Sequence, residues 1–178
     1  MRVIGGTARG VPLIAPEGRE TRPTSDRVRE SLFNILGPRI VDCRFLDLFA
    51  GTGAHGIEAL SRGAARAALV ENSRAACDCI LKNAQKARVW EQATLFRTAL
   101  PEALARITGP FDIVVADPPY AYEHYADLLK ALLDYEMLAP QALVVVEHDR
   151  RTETPEAVGR LTRTRQTTYG DTTLSFYA

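Results

Sequence analysis

The sequence predicts an α/β fold, a doubly wound and mostly parallel seven-stranded sheet carrying a C-terminal antiparallel hairpin and a small N-terminal extension. Three observations predict it. Short apolar runs alternate with amphipathic segments after residue 40, the pattern of a parallel sheet covered by helices on both faces. A glycine-rich stretch, "AGTGAHG", follows the first of these runs, where such sheets bind ligands. The chain closes on two β-rich runs joined near Gly170-Asp171, a hairpin signal.

The elements follow in order. "RVIGG…VPLIAP" gives two extended segments split by glycines, a small hairpin. "TRPTSDRVRESLFNIL" gives a helix from about Ser25, with apolar positions 28, 32, 35 and 36 on one face and Arg27 and Arg29 off it. "RFLDLF" (44–49) is the first strand, and "HGIEALSRG" a helix ending at Gly63. "ARAALVE" (65–71) is the second strand, and residues 73–87 a helix with Ser73 as N-cap. Residues 93–98 make the third strand, 100–107 a short helix, and "FDIVVAD" (111–117) the fourth strand. A helix at 123–135 has apolar positions 125, 128, 129, 132 and 133, and "ALVVVEH" (142–148) is the fifth strand. Residues 1–178 are expected to form one domain, with 1–39 an N-terminal extension and 40–178 the alternating strand-helix core.

Composition narrows the function. An apolar fraction of 46% and a charged fraction of 25% are ordinary for a globular protein. No apolar run reaches the roughly 20 residues of a membrane span, and "MRVIGGTARG" lacks an apolar signal core, so a cytoplasmic protein is expected. Cys43, Cys77 and Cys79 are odd in number and lack C-x-x-C spacing. They are expected to be reduced structural thiols, with no metal site. Formal net charge is zero, yet residues 1–39 hold seven Arg against four acids and residues 150–178 five Arg against three. Basic ends on an acidic centre suit a polyanion touching the flanks.

The chemistry concentrates at three strand ends. Gly51, Gly53 and Gly56 satisfy G-x-G-x-x-G, which admits a dinucleotide reading. Asp47, four places ahead of Gly51, would repel a pyrophosphate and favour a cation, and S-adenosyl-L-methionine carries an ammonium and a sulfonium. Glu71 ends the second strand and can accept the hydroxyls of a ribose. It fits either cofactor. The stretch "VVADPPYAY" (114–122) separates them. Two prolines fix two φ angles and remove two donors, so the Asp117 carboxylate and the Pro118 carbonyl stand as preorganised acceptors beside Tyr120. An exocyclic amine on a flat base needs such acceptors and a stacking ring, and the base must be unpaired or flipped out.

"DLFAGTG" with "DPPY" resembles the class I S-adenosylmethionine-dependent amino-methyltransferases. "RVIGGTARG", "TRPTSDRVRESLFNIL", "FLDLFAGTGAHGIEALSRGA", "VVADPPY" and "YGDTTLSFY" resemble, end to end, the bacterial 16S ribosomal RNA guanine-N2 methyltransferase family (RsmD). The resemblance implies a Rossmann-like fold and methylation of a guanine of 16S ribosomal RNA, within small-subunit particles, by a monomer that needs no metal. It implies that Asp47, Phe49, Gly51, Gly53 and Glu71 hold the cofactor. Asp117, Pro118 and Tyr120 would hold the target guanine, and Arg22, Thr24, Arg27, Arg29 and Pro119 would face the RNA. Two positions depart from the pattern: His55 stands where an apolar residue is expected, and the third strand ends on Arg97 with no acid for the adenine amine. Two other readings share the loop and "DPPY": a DNA adenine-N6 methyltransferase, and a non-catalytic RNA-binding module.

Overall fold

The computed structural model describes residues 1–16 and 23–178, and for residues 23–25 the backbone alone. Eight strands among the described residues form one sheet. They are β1 (Arg44–Leu48), β2 (Arg66–Glu71), β3 (Ala93–Arg97), β4 (Phe111–Ala116), β5 (Leu138–Asp149), β6 (Ala157–Val158), β7 (Leu161–Tyr169) and β8 (Thr172–Tyr177). Their order is β3-β2-β1-β4-β5-β8-β7-β6. The first five are parallel, and β8 and β7 return antiparallel as the C-terminal hairpin. The predicted seven strands become eight through the two-residue edge strand β6, which is too short to leave a periodic signal. The chain winds outward through β2 and β3, then returns to β4 on the other side of β1. That reversal opens a crevice beyond the C-terminal ends of β1 and β4.

Alternation along the strands builds two cores. Phe45, Leu69, Val115 and Val145 face one side, under α1 (Pro23–Leu36), α2 (Ala54–Ser61) and α3 (Arg74–Lys86). Leu48, Val70, Ala116 and Val146 face the other, where α4 (Tyr125–Asp134) lies with Leu128, Leu129 and Leu132. Ser73 caps α3 by accepting the Ala76 N–H at 3.4 Å. Cys43, Cys77 and Cys79 are free and buried. Burial pushes the Cys43 thiol up to about 12, which keeps it out of thiolate chemistry.

Several boundaries differ from expectation. Helix α1 begins at Pro23, a favoured first helical position. Residues 100–107 make turns and a 3-10 segment at Leu104–Arg106, a run too short to nucleate an α-helix. Strand β5 starts at Leu138, because a register shift between Phe111 and Ile113 takes up the residues around Pro140.

The N-terminal hairpin forms, with Val3 N–H donating to Val11 at 2.9 Å and Gly10 N–H to Val3 at 2.8 Å. It is fastened to α2 by Glu58, whose fully buried carboxylate accepts the Ile4 and Gly5 N–H groups, each at 2.8 Å. Gly6 sits at φ 76°, and a Cβ there would lie 1.7 Å from the Ser61 carbonyl oxygen, so only glycine fits. Asn83 of α3 joins hairpin to glycine loop: its Oδ1 accepts the Ile14 N–H, and its Nδ2 donates to the carbonyls of Ile14 and Thr52.

Candidate active site

The parallel register aligns the C-terminal ends of β1, β2 and β4 with Val146 of β5, which runs on to Asp149. Leu48 stands beside Val70 and Ala116, and Ala116 beside Val146. The next residues are therefore Phe49, Glu71, Asp117 and Glu147, in one row across the sheet's C-terminal edge. All four line a cavity of about 660 Å³, within the roughly 300–1,000 Å³ usual for ligand sites. Ala50 to Thr52, His55, Pro118 to Tyr120 and Tyr122 line it too.

The chain turns sharply out of β1. Phe49 takes φ 59°, costly for a residue with a side chain, and Gly51 and Gly53 take 57° and 78°. Glu71 holds this turn. Its Oε2 accepts the Gly51 N–H at 2.8 Å, and its Oε1 accepts the Asn72 and Ser73 N–H groups at 2.9 and 2.8 Å. The carboxylate is thus oriented by three donors and still borders the cavity. A carboxylate offers about four acceptor sites, so three donors leave one of them over.

Asp47 does not line the cavity, contrary to expectation. It is fully buried beneath the loop, where its Oδ2 accepts the Gly56 N–H at 2.8 Å and its Oδ1 has no partner. Alternation puts the residue on the side covered by α2, which closes over it. Burial pushes its carboxyl up to about 8, against the Gly56 hydrogen bond and with help from Asp117 and Glu71. Gly53 is also buried, as the residue preceding α2 against Ile57, Leu69 and Ile80.

The Asp117 N–H donates to the Leu48 carbonyl at 3.3 Å, and the Tyr122 N–H to the Pro119 carbonyl at 2.9 Å, so the proline loop is tied at both ends. Pro118 is buried, whereas Asp117, Pro119 and Tyr120 are exposed at the cavity mouth. Tyr122 meets Phe49 and Tyr125 edge-on, each at 5.2 Å, and Tyr125 meets His148 at 6.0 Å. This aromatic wall escaped sequence reasoning, although the Y-x-x-Y spacing after "DPP" was a signal for it.

Arg29 corrects a second expectation. It is buried, not presented to RNA: its guanidinium donates to the Arg2 carbonyl and to Asp26 Oδ1 at 3.0 Å, and its Nε lies 3.7 Å from Glu58 Oε2. The hairpin and α2 cover α1 on a second side, so the buried stripe widens to include Arg29 and Phe33, one turn apart. Arg27 is exposed. Arg22 and the side chain of Thr24 lie outside the described residues. Burial, reinforced by the Arg29 charge, pushes the His55 imidazole down to about 3, so it is neutral. Glu147, also missed, is raised well above the usual carboxyl range by burial and by Asp117, with Arg29 opposing. Beyond β3, Thr98, Ala99 and Leu100 line the cavity without an acid, and Arg97 points to Asp78 at 3.8 Å. Among the described residues, no helix is long and apolar enough to cross a membrane.

Comparison with known proteins agrees with this architecture. The family described as conserved hypothetical protein 95 matches residues 1–178. A Bacillus subtilis strain 168 relative named as a candidate rRNA methyltransferase, YlbH, is 42% identical over 99% of this chain and 98% of its own length. Ribosomal RNA small subunit methyltransferase D of Escherichia coli K12 is 42% identical over 84% of this chain and 75% of its own. The solved structure of yhhF from Escherichia coli, described as a methyltransferase candidate, superposes with a TM-score of 0.86 at 38% identity, covering 99% of this chain and 96% of that one. A glycine turn clamped by Glu71, a proline-stiffened Asp117 in the same cavity and a match along the whole chain lead to one conclusion: this protein belongs to the conserved hypothetical protein 95 family, with the ribosomal RNA small subunit methyltransferase D proteins.

Proposed function

We propose that this chain transfers a methyl group from S-adenosylmethionine to the exocyclic N2 of a guanine in 16S ribosomal RNA, acting on small-subunit particles. One observation carries the reading: Asp117, Pro118 and Tyr120 open into the same cavity as the glycine turn and Glu71. Acceptors for an amine and a cradle for a nucleoside thus share one space. The family relation supports the ribosomal RNA substrate.

The residues present fit the cofactor. Glu71 borders the cavity with an acceptor site left over for a ribose hydroxyl. A cofactor cation above the loop would act on the orphaned Asp47 Oδ1 through the turn and draw that carboxyl back toward its ionised form. Gly51 admits close approach of a ligand to the backbone, and the backbone of residues 98–100 would hold the adenine where an acid is missing. When bound, the cofactor supplies an electrophilic methyl group, so the protein's part is position and charge. Asp117 accepts one N–H of the amine, the Pro118 carbonyl accepts the other, and the nitrogen lone pair is turned toward the methyl donor. The Asp117 charge stabilises positive charge developing on nitrogen. Tyr120 stacks on the extruded base, and exposed Arg27 and Pro119 meet the surrounding RNA.

The test is product identification. Labelled S-adenosylmethionine, the protein and unmethylated small-subunit particles should yield N2-methylguanosine after nuclease digestion of the RNA. Label in methyladenosine, or in DNA alone, would overturn the assignment.

A further inference from the structure

We infer that Glu147 determines base specificity, its carboxylate accepting the N1–H of the guanine whose N2 amine Asp117 holds. This rests on the guanine-N2 reading above and adds a residue to it.

The placement comes from the sheet. Ala116 and Val146 are in register on adjacent strands. Asp117 follows directly after β4 and Glu147 lies within β5 beside it, about one strand spacing of 4.8 Å apart. Alternation turns both away from the α4 side, and both line the cavity. Guanine presents two neighbouring donors on its Watson–Crick edge, N1–H and the N2 amine. Two adjacent carboxylates match a donor pair, whereas adenine puts an acceptor, N1, beside its amine.

The environment of Glu147 agrees. Among the described residues, no donor hydrogen-bonds its carboxyl, and no cation lies within ion-pair distance. Arg29 acts on it only at longer range, and Asp117 repels it. Its neighbour in β8 is Leu174, so the sheet has no use for an acid here. A half-buried carboxyl without a donor is costly, and the N1–H of a seated guanine would supply one, favouring the ionised form that burial and Asp117 oppose. His55 and His148 also border the cavity, but burial pushes both imidazoles down, so neither is a competing cation.

The experiment replaces the methylated guanine of the small-subunit RNA by 2-aminopurine, which keeps the exocyclic amine but has an acceptor at N1. The wild-type enzyme should prefer guanine in kcat/KM by about tenfold or more. Glu147→Gln should bring that preference close to unity, because the amide can accept from guanine or donate to 2-aminopurine. Its affinity for S-adenosylhomocysteine should stay at the wild-type level. Glu147→Asp, which keeps the charge, should retain the preference at a lower rate, and guards against a Gln variant that does not fold. An unchanged guanine preference in Glu147→Gln, or an equal loss on both RNAs, overturns the assignment. Absence of N2 methylation by the wild-type enzyme on either RNA overturns the guanine-N2 reading itself, and this inference with it.

Discussion

Beneath the glycine turn, Asp47 combines full burial, one hydrogen bond from Gly56 and an oxygen without a partner. Desolvation dominates, so its carboxyl titrates at about 8 in the folded protein against 3.8 ordinarily. A folded value above the unfolded one means the folded state holds the proton more tightly. The stability this contributes is fully present below 3.8, falls as pH rises, and is lost above about 8. Asp47→Asn is neutral throughout and keeps an acceptor for Gly56. Its melting temperature relative to wild type should therefore climb as pH is raised from about 5 to about 9. Calorimetry at several pH values checks this, and a gap independent of pH would show that Asp47 is ionised in the fold.

At the scale of elements, the N-terminal hairpin depends on Glu58. One carboxylate serves the Ile4 and Gly5 amides, takes the Arg62 Nε–H at 2.6 Å, and faces Arg29. Glu58→Gln removes the charge between two guanidiniums. It should cost about 3–5 kcal/mol, the range for breaking a buried ion pair. Denaturant unfolding measures the loss, and hydrogen exchange should show the Ile4 and Gly5 amides opening first. None of this was readable from "HGIEALSRG", where Glu58 looks like an ordinary helix residue. By contrast, β4 and its proline loop were plain, because an apolar run halted by Asp-Pro-Pro has few other local solutions. Arg29 was misread because a helical pattern assumes one buried face, and α1 is covered on two. Glu147 was invisible because its importance lies in the register between β4 and β5, a long-range property.

For the whole molecule, the winding of the chain decides where chemistry can occur. Reversal of strand order beside β1 brings residues 49, 71, 117 and 147 to one edge. Exposed Arg27 and Tyr120 stand toward the outside, whereas Arg29 and Asp47 are enclosed. The molecule thus separates exposed side chains at the cavity mouth from a buried electrostatic interior, the division that the proposed transfer to an extruded base would use. Asp117 lies where the two meet. The most direct test is single-turnover methyl transfer from S-adenosylmethionine to small-subunit RNA by wild type and by Asp117→Asn, a nearly isosteric change. The variant should bind the cofactor normally and transfer methyl about 10²–10³-fold more slowly. Transfer at the wild-type rate would contradict the account, leaving Asp117 as no more than a carboxylate at the end of a strand.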